Sequence, residues 1–264
     1  MFPVMKYKAL FFDIDGTLVS FATHRIPRSA VDALREAKRR AVRIFIATGR
    51  PRAMVNNLGE IEDLIDGWIT HNGGQCTVGD EVIRCNSISP ESFRIILEHS
   101  DRFRYPVYVV GEHSQVAYNN EERMVAFYRD ELNFHINPSA TLADLAGQRI
   151  IETTNFCNAE QERDLLPRLP DCISTRWHPA FIDITERHSD KGTGLEEIAA
   201  KLGISAAETI AFGDGGNDAS MLRAAGVGVA LGGAFDEAKK ASDYVTSTVE
   251  EDGVARALEH FGVI

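Results

Sequence analysis

Phe11-Phe12-Asp13-Ile14-Asp15-Gly16-Thr17-Leu18 marks a strand end that carries acids. An apolar run beginning at Ala9 reads as a buried strand, and it stops where two carboxylates and a glycine follow in close succession. Such strand ends are where open α/β sheets bind their ligands. Carboxylates at i and i+2 repel each other unless positive charge lies beside them. A hard divalent cation suits the position, since Mg2+ prefers oxygen ligands and takes one or two carboxylates along with waters and substrate phosphate. A carboxylate aimed at phosphorus could also act as a nucleophile and form an aspartyl-phosphate. The other reading is a solvated strand-to-turn corner, with Asp and Gly present for turn chemistry. The octapeptide alone leaves both open.

At 264 residues the chain is long enough for a large core and for two domains. Its 44% hydrophobic and 25% charged residues are ordinary for a globular protein. A net charge of −11 argues against nucleic acid or an anionic membrane as partner, because both require a basic surface. Arg35, Lys38, Arg39, Arg40 and Arg43 form the local exception. Val31, Leu34, Ala37 and Ala41 make an apolar stripe at helical spacing, so these charges fall mostly on the opposite, solvated face. Cys76, Cys85, Cys157 and Cys172 show no C-x-x-C or metal-type spacing, and reduced thiols in a cytoplasmic protein are the simplest account. The first apolar run is cut by Asp13 before it could form a signal-peptide core, and no segment approaches the ~20 apolar residues of a membrane span.

Beyond the first strand, Ser29 to Arg40 predicts an amphipathic helix and Val42 to Ala47 a second buried strand. That strand ends in Thr48-Gly49-Arg50-Pro51, where a hydroxyl and unhindered backbone N–H groups could grip a phosphate oxygen, or where Thr48 could simply cap a turn. A helix from about Arg52 to Leu58 and a short strand at Trp68-Ile69 are expected next. In His71-Asn72-Gly73-Gly74 the Asn-Gly pair between strand-like runs is a hairpin signal, with His71 a substrate contact or an ordinary loop residue. From about Ser87 to Arg187 helical and strand-like runs alternate without a catalytic-looking cluster, as in an inserted α+β module.

Ser189-Asp190-Lys191-Gly192-Thr193-Gly194 introduces a helix running to about Leu202. A lysine in a first helical turn opposes the helix dipole, and a bound anion there would remove the conflict; exposure to solvent is the alternative. Glu208 to Phe212 then predicts a strand running into Gly213-Asp214-Gly215-Gly216-Asn217-Asp218, which brings two more carboxylates to a glycine-rich strand end. An EF-hand calcium loop is the competing metal reading, but its spacing and closing glutamate are missing.

Taken in order, Asp13-Ile14-Asp15-Gly16-Thr17, Thr48-Gly49-Arg50, Lys191-Gly192 and Gly213 to Asp218 closely resemble the four motifs of the haloacid dehalogenase superfamily. The pattern is similar to that of its Cof-type phosphatases with a C2-type cap, and Asn72-Gly73 resembles the Asn-Gly found after the second motif in that group. This resemblance implies a Rossmann-like, doubly wound parallel sheet core from residues 1–82 and 188–264, with an inserted α+β cap domain at 83–187.

It further implies that Asp13 is the nucleophile and that Asp15 protonates the leaving oxygen and then activates water. Thr48, Gly49 and Lys191 would hold the phosphoryl group, and Asn217 would orient substrate or metal. Asp13, the backbone carbonyl of Asp15, and Asp214 would bind Mg2+, with Asp218 as a ligand or as support to one. The expected activity is hydrolysis of small phosphorylated metabolites such as sugar phosphates. A phosphotransferase or mutase passing the group to a sugar hydroxyl is the alternative within the enzymes. A catalytically silent Mg2+- and phosphate-binding regulatory protein is the reading from another class, and it has no need of Asp15 beside a nucleophile-like Asp13.

Overall fold

The computed structural model describes residues 6–264, and the chain falls into two compact units, one running to Arg84 and resuming at Asp190–Ile264, the other Cys85–Ser189. In chain order the first unit opens with strand β1 (Ala9–Phe12), helix α1 (Arg28–Arg39) and strands β2 (Arg43–Ala47), β3 (Gly67–Thr70), β4 (Gln75–Val78) and β5 (Glu81–Cys85). The second unit holds α2 (Pro90–Phe103), β6 (Val107–Gly111), β7 (Gln115–Tyr118), α3 (Glu122–Asp130), β8 (Ile150–Asn155), α4 (Ala159–Leu165), β9 (Cys172–His178) and β10 (Phe181–Glu186). The first unit then resumes with α5 (Lys191–Leu202), β11 (Thr209–Gly213), α6 (Ala219–Ala224), β12 (Val227–Ala230), α7 (Asp236–Ala241), β13 (Tyr244–Val245) and α8 (Gly253–His260).

The first unit is an α/β fold whose eight strands lie in the order β13-β12-β11-β1-β2-β3-β4-β5. Strands β13 through β3 run parallel, and β4 returns antiparallel to β3. A parallel strand covered on both faces must be apolar at every position, and β1 is buried throughout. Phe11 stacks on Phe45 of β2 on one face, with ring centroids 5.0 Å apart, within a core shared with α5, α6 and α7. Phe12 stacks on Phe212 of β11 at 4.6 Å on the other face, over α1 and α8. Each such ring, fully buried, contributes about 1.5–3 kcal/mol.

The α1 charges lie opposite the apolar stripe and are paired or bonded locally: Arg39 and Arg40 with Glu36, Lys38 with Asp66, and Arg35 with the Glu60 carbonyl. The expected helix over 52–58 is only a 3-10 turn, Arg52–Met54. No side chain caps its start, and Asn56, Asn57 and Gly59 follow it, residues that favour turns over helix interiors.

The second unit is an antiparallel sheet in the order β7-β6-β8-β10-β9. One face packs Val107, Val109, Ile182 and Ile184 against Ile96 of α2 and Leu165 of α4. The other carries Thr154, which donates to Asp183 at 2.8 Å, and Tyr108, whose ring lies 4.6 Å from that of Tyr128 in α3. All four cysteines are free thiols.

Candidate active site

Parallel register is what assembles the site. Phe12 lies opposite Ile46 of β2 and Phe212 of β11, so the residues that follow, Asp13, Thr48 and Asp214, leave three adjacent strands at one end of the sheet. Asp13 extends the ladder one step further, its N–H donating to the Phe212 carbonyl at 3.0 Å.

Lys191 occupies the first position of α5, and its side chain is completely buried. The anion that its helix position calls for is supplied by carboxylates: Nζ donates to Asp13 Oδ1 and to Asp218 Oδ1, both at 2.6 Å. The other oxygen of Asp218 accepts the N–H groups of Asp214 and Gly215, each at 2.9 Å, and so closes the loop after β11. Asp214 accepts a bond from the Thr17 hydroxyl at 3.1 Å. Gly16 is required beside it, because its φ is +80° and a Cβ would stand 2.4 Å from Asp214 Oδ2.

Three buried carboxylates thus meet one ammonium. Burial, then the charge of Asp218, push the Asp13 carboxyl well above its ordinary range, and Lys191 only partly offsets them. Burial and Asp218 likewise lift Asp214 to about 6 against the Thr17 hydrogen bond. For Lys191 burial is the largest influence and acts downward, yet Asp13 and Asp218 outweigh it and hold the ammonium above its usual value. Asp13, Asp214 and Asp218 each offer an oxygen, and these lie within 4.8 Å of one another. An all-oxygen, anionic donor set with uncompensated charge fits a hard divalent cation.

The remaining expected residues sit in loops of the same unit. Thr48 is buried, and its Oγ1 accepts the Arg50 N–H at 3.0 Å. The Asp15 carboxylate stands outside the acid group and accepts from Arg50 Nη2 at 2.6 Å. Asn217 is exposed and donates to Asn72 Oδ1 at 2.9 Å, and Asn72 flanks Gly49. His71 is buried. Sequence reasoning gave no role to Thr17 or Arg50, although both stand inside motifs it singled out. Arg50 had a usable signal, being the one opposite charge in a loop expected to lie beside Asp15.

The model of the haloacid dehalogenase-like hydrolase family matches residues 10–258, and the chain belongs to that family, as an enzyme of its phosphatase class. It is 31% identical to YkrA of Bacillus subtilis over 98% of this chain and 100% of that one. A phosphoglycolate phosphatase of Archaeoglobus fulgidus is 26% identical over 99% of this chain and 100% of its own. Among solved structures, the subclass IIB sugar phosphatase BT4131 superimposes with a TM-score of 0.88 at 45% identity, covering 97% of this chain and 100% of that one. BT1666 from Bacteroides thetaiotaomicron gives 0.85 at 35% identity, covering 98% and 96%. Among the described residues no helix is long and apolar enough to cross a membrane.

Proposed function

We propose that this protein is a cytoplasmic, Mg2+-dependent phosphatase that hydrolyses small phosphomonoesters, sugar phosphates foremost, through an aspartyl-phosphate on Asp13. The observation that carries the reading is the buried ammonium of Lys191 between Asp13 and Asp218, with Asp214 alongside. Sugar phosphates are favoured because the subclass IIB relative of the same fold is a sugar phosphatase. The insert, expected at 83–187 and compact as Cys85–Ser189, serves as the cap domain that sets selectivity.

Asp13, the Asp15 carbonyl and Asp214 would hold Mg2+, with Asp218 as a further ligand or as the brace of the loop. The cation supplies positive charge that lets an anionic carboxylate approach an anionic phosphate. A free Asp13 oxygen attacks phosphorus, and the bond to the leaving oxygen breaks as Asp15 donates a proton to it. Asp15 then takes a proton from water, the water oxygen bonds to phosphorus, and the acyl–phosphate bond breaks to give orthophosphate and free Asp13. Through both steps the Lys191 ammonium, the Thr48 hydroxyl, the Gly49 N–H and the Asn217 amide bear the charge that spreads over the equatorial oxygens.

The test is orthophosphate release from a panel of sugar phosphates and other phosphorylated metabolites, with Mg2+ and with chelator. Release that needs Mg2+ but no acceptor sugar is expected. Release only on adding an acceptor would make the protein a phosphotransferase, and no turnover of any member would overturn the assignment.

A further inference from the structure

His71 and Asn72 are consecutive non-glycine residues in the left-handed region, with φ of 53° and 51°. Side chains rarely adopt that backbone even singly, and such residues persist where surrounding structure holds them. The surroundings here are three of the loops that carry the site. The Asn72 N–H donates to the Thr48 carbonyl at 3.1 Å, on the loop after β2. The Asn72 side-chain oxygen accepts the Asn217 amide at 2.9 Å, on the loop after β11. Gly73, at φ +101°, lies so close to the chain before Lys191 that a Cβ would stand 2.1 Å from the Asp190 carbonyl oxygen. On the remaining side Gly49 leaves room for the Asn72 amide, which would lie 3.1 Å from any Cβ placed there.

We propose that Asn72 is a positioning residue for phosphoryl transfer: its side-chain amide braces Asn217 against the Thr48–Gly49 loop, while the left-handed turn it shares with His71 seats Gly73 beneath the start of α5. The plain alternative is that asparagine stands here only because it tolerates left-handed backbone better than most residues. The two accounts diverge at one substitution. Glycine accepts the backbone without strain and removes the amide. If conformation is the whole requirement, Asn72→Gly changes nothing; if the brace matters, it releases Asn217, and displacements of about 1 Å in a phosphoryl-holding group cost on the order of 10²-fold in rate.

The proposal rests on the phosphatase reading, so the experiment has an arm that does not. Steady-state kinetics with Mg2+ are measured for the wild type, Asn72→Gly, Asn217→Ala and the double variant, with thermal melting to establish that each folds. Orthophosphate affinity is measured by calorimetry on the same four proteins. Asn72→Gly is expected to lower kcat by at least about tenfold with a far smaller change in KM, and to weaken orthophosphate binding by about tenfold. The double variant should lie within about twofold of the worse single variant, because one brace is removed twice. Wild-type kcat and orthophosphate affinity in folded Asn72→Gly, or losses that multiply in the double variant, would overturn the role of Asn72. If the wild type turns over no substrate, the phosphatase reading fails, and the orthophosphate titration still decides the brace. A wild type that neither turns over substrate nor binds orthophosphate ends both.

Discussion

Arg50 Nη2 donates to Asp15 Oδ1 at 2.6 Å while the Arg50 backbone N–H donates to the Thr48 hydroxyl at 3.0 Å. One residue therefore orients both the proposed proton carrier and a proposed phosphoryl contact. The ion pair is partly open, with side chains 25% and 33% exposed, so it contributes no more than about 1 kcal/mol to stability. Its value is directional. Arg50→Ala should leave the urea midpoint almost unchanged and reduce kcat by about 10–100-fold, with Arg50→Lys recovering part of the loss. Undiminished kcat in Arg50→Ala would remove Arg50 from the catalytic account.

Asp13→Asn replaces the proposed nucleophile with a near-isostere and removes a carboxylate that burial and Asp218 already disfavour. The variant should show no turnover, yet in chelator it should melt no lower than the wild type, because the acid cluster loses repulsion. Wild-type rate in this variant would eliminate covalent catalysis at Asp13.

Lys191 is the reverse case. Removing the ammonium leaves Asp13 and Asp218 buried beside each other without a counter-charge. Loss of one partner from a buried pair costs about 3–5 kcal/mol, and Lys191→Met should show a deficit of that order in denaturant titrations. Adding Asp218→Asn to Lys191→Met should restore part of it. A Lys191→Met protein as stable as the wild type would mean that the cluster tolerates the bare charges.

The pH response carries a definite sign. Asp214 is lifted in the folded protein to about 6 from an ordinary 3.8, and Asp13 is lifted as well. Between those values the folded state binds more protons than the unfolded state, so this contribution to stability is greatest at low pH and is lost as pH rises through the folded pKa. In chelator, the melting temperature of the wild type should therefore fall relative to that of Asp214→Asn as pH is raised from about 4 to about 7. Mg2+ should reverse that trend, raising the wild-type melting temperature more at neutral than at acid pH, since its ligands must be deprotonated. A difference between the two proteins independent of pH and Mg2+ would contradict the acid-cluster electrostatics.

The parallel sheet was legible because a strand covered on both faces reads as an unbroken apolar run, as Ala9–Phe12, Arg43–Ala47 and Thr209–Gly213 nearly do. The acids were legible because each stands just past such a run. Lys191 was half legible: its conflict with the helix dipole called for an anion, but that Asp13 and Asp218 supply it depends on packing between segments 178 and 27 residues apart. Asn72 with Asn217 was not legible, since no local pattern ties residues 145 positions apart, and Arg50 with Asp15, 35 positions apart, left only the signal of opposite charge. The failed helix at 52–58 shows the limit of local reading, where Asn56, Asn57 and Gly59 follow a single turn and favour a loop.

Strand β1 lies between β2 and β11, and Ala9 finds its partner Thr209 on β11 about 200 residues later in the chain. At a synthesis rate of roughly 5–20 residues per second, that interval lasts on the order of 10–40 s. Throughout it the nascent protein carries one fully apolar strand with an unpaired edge, an open template for any extended segment nearby. Translation speed across the intervening region, and whatever shields that edge on the ribosome, therefore bear directly on the yield of folded protein.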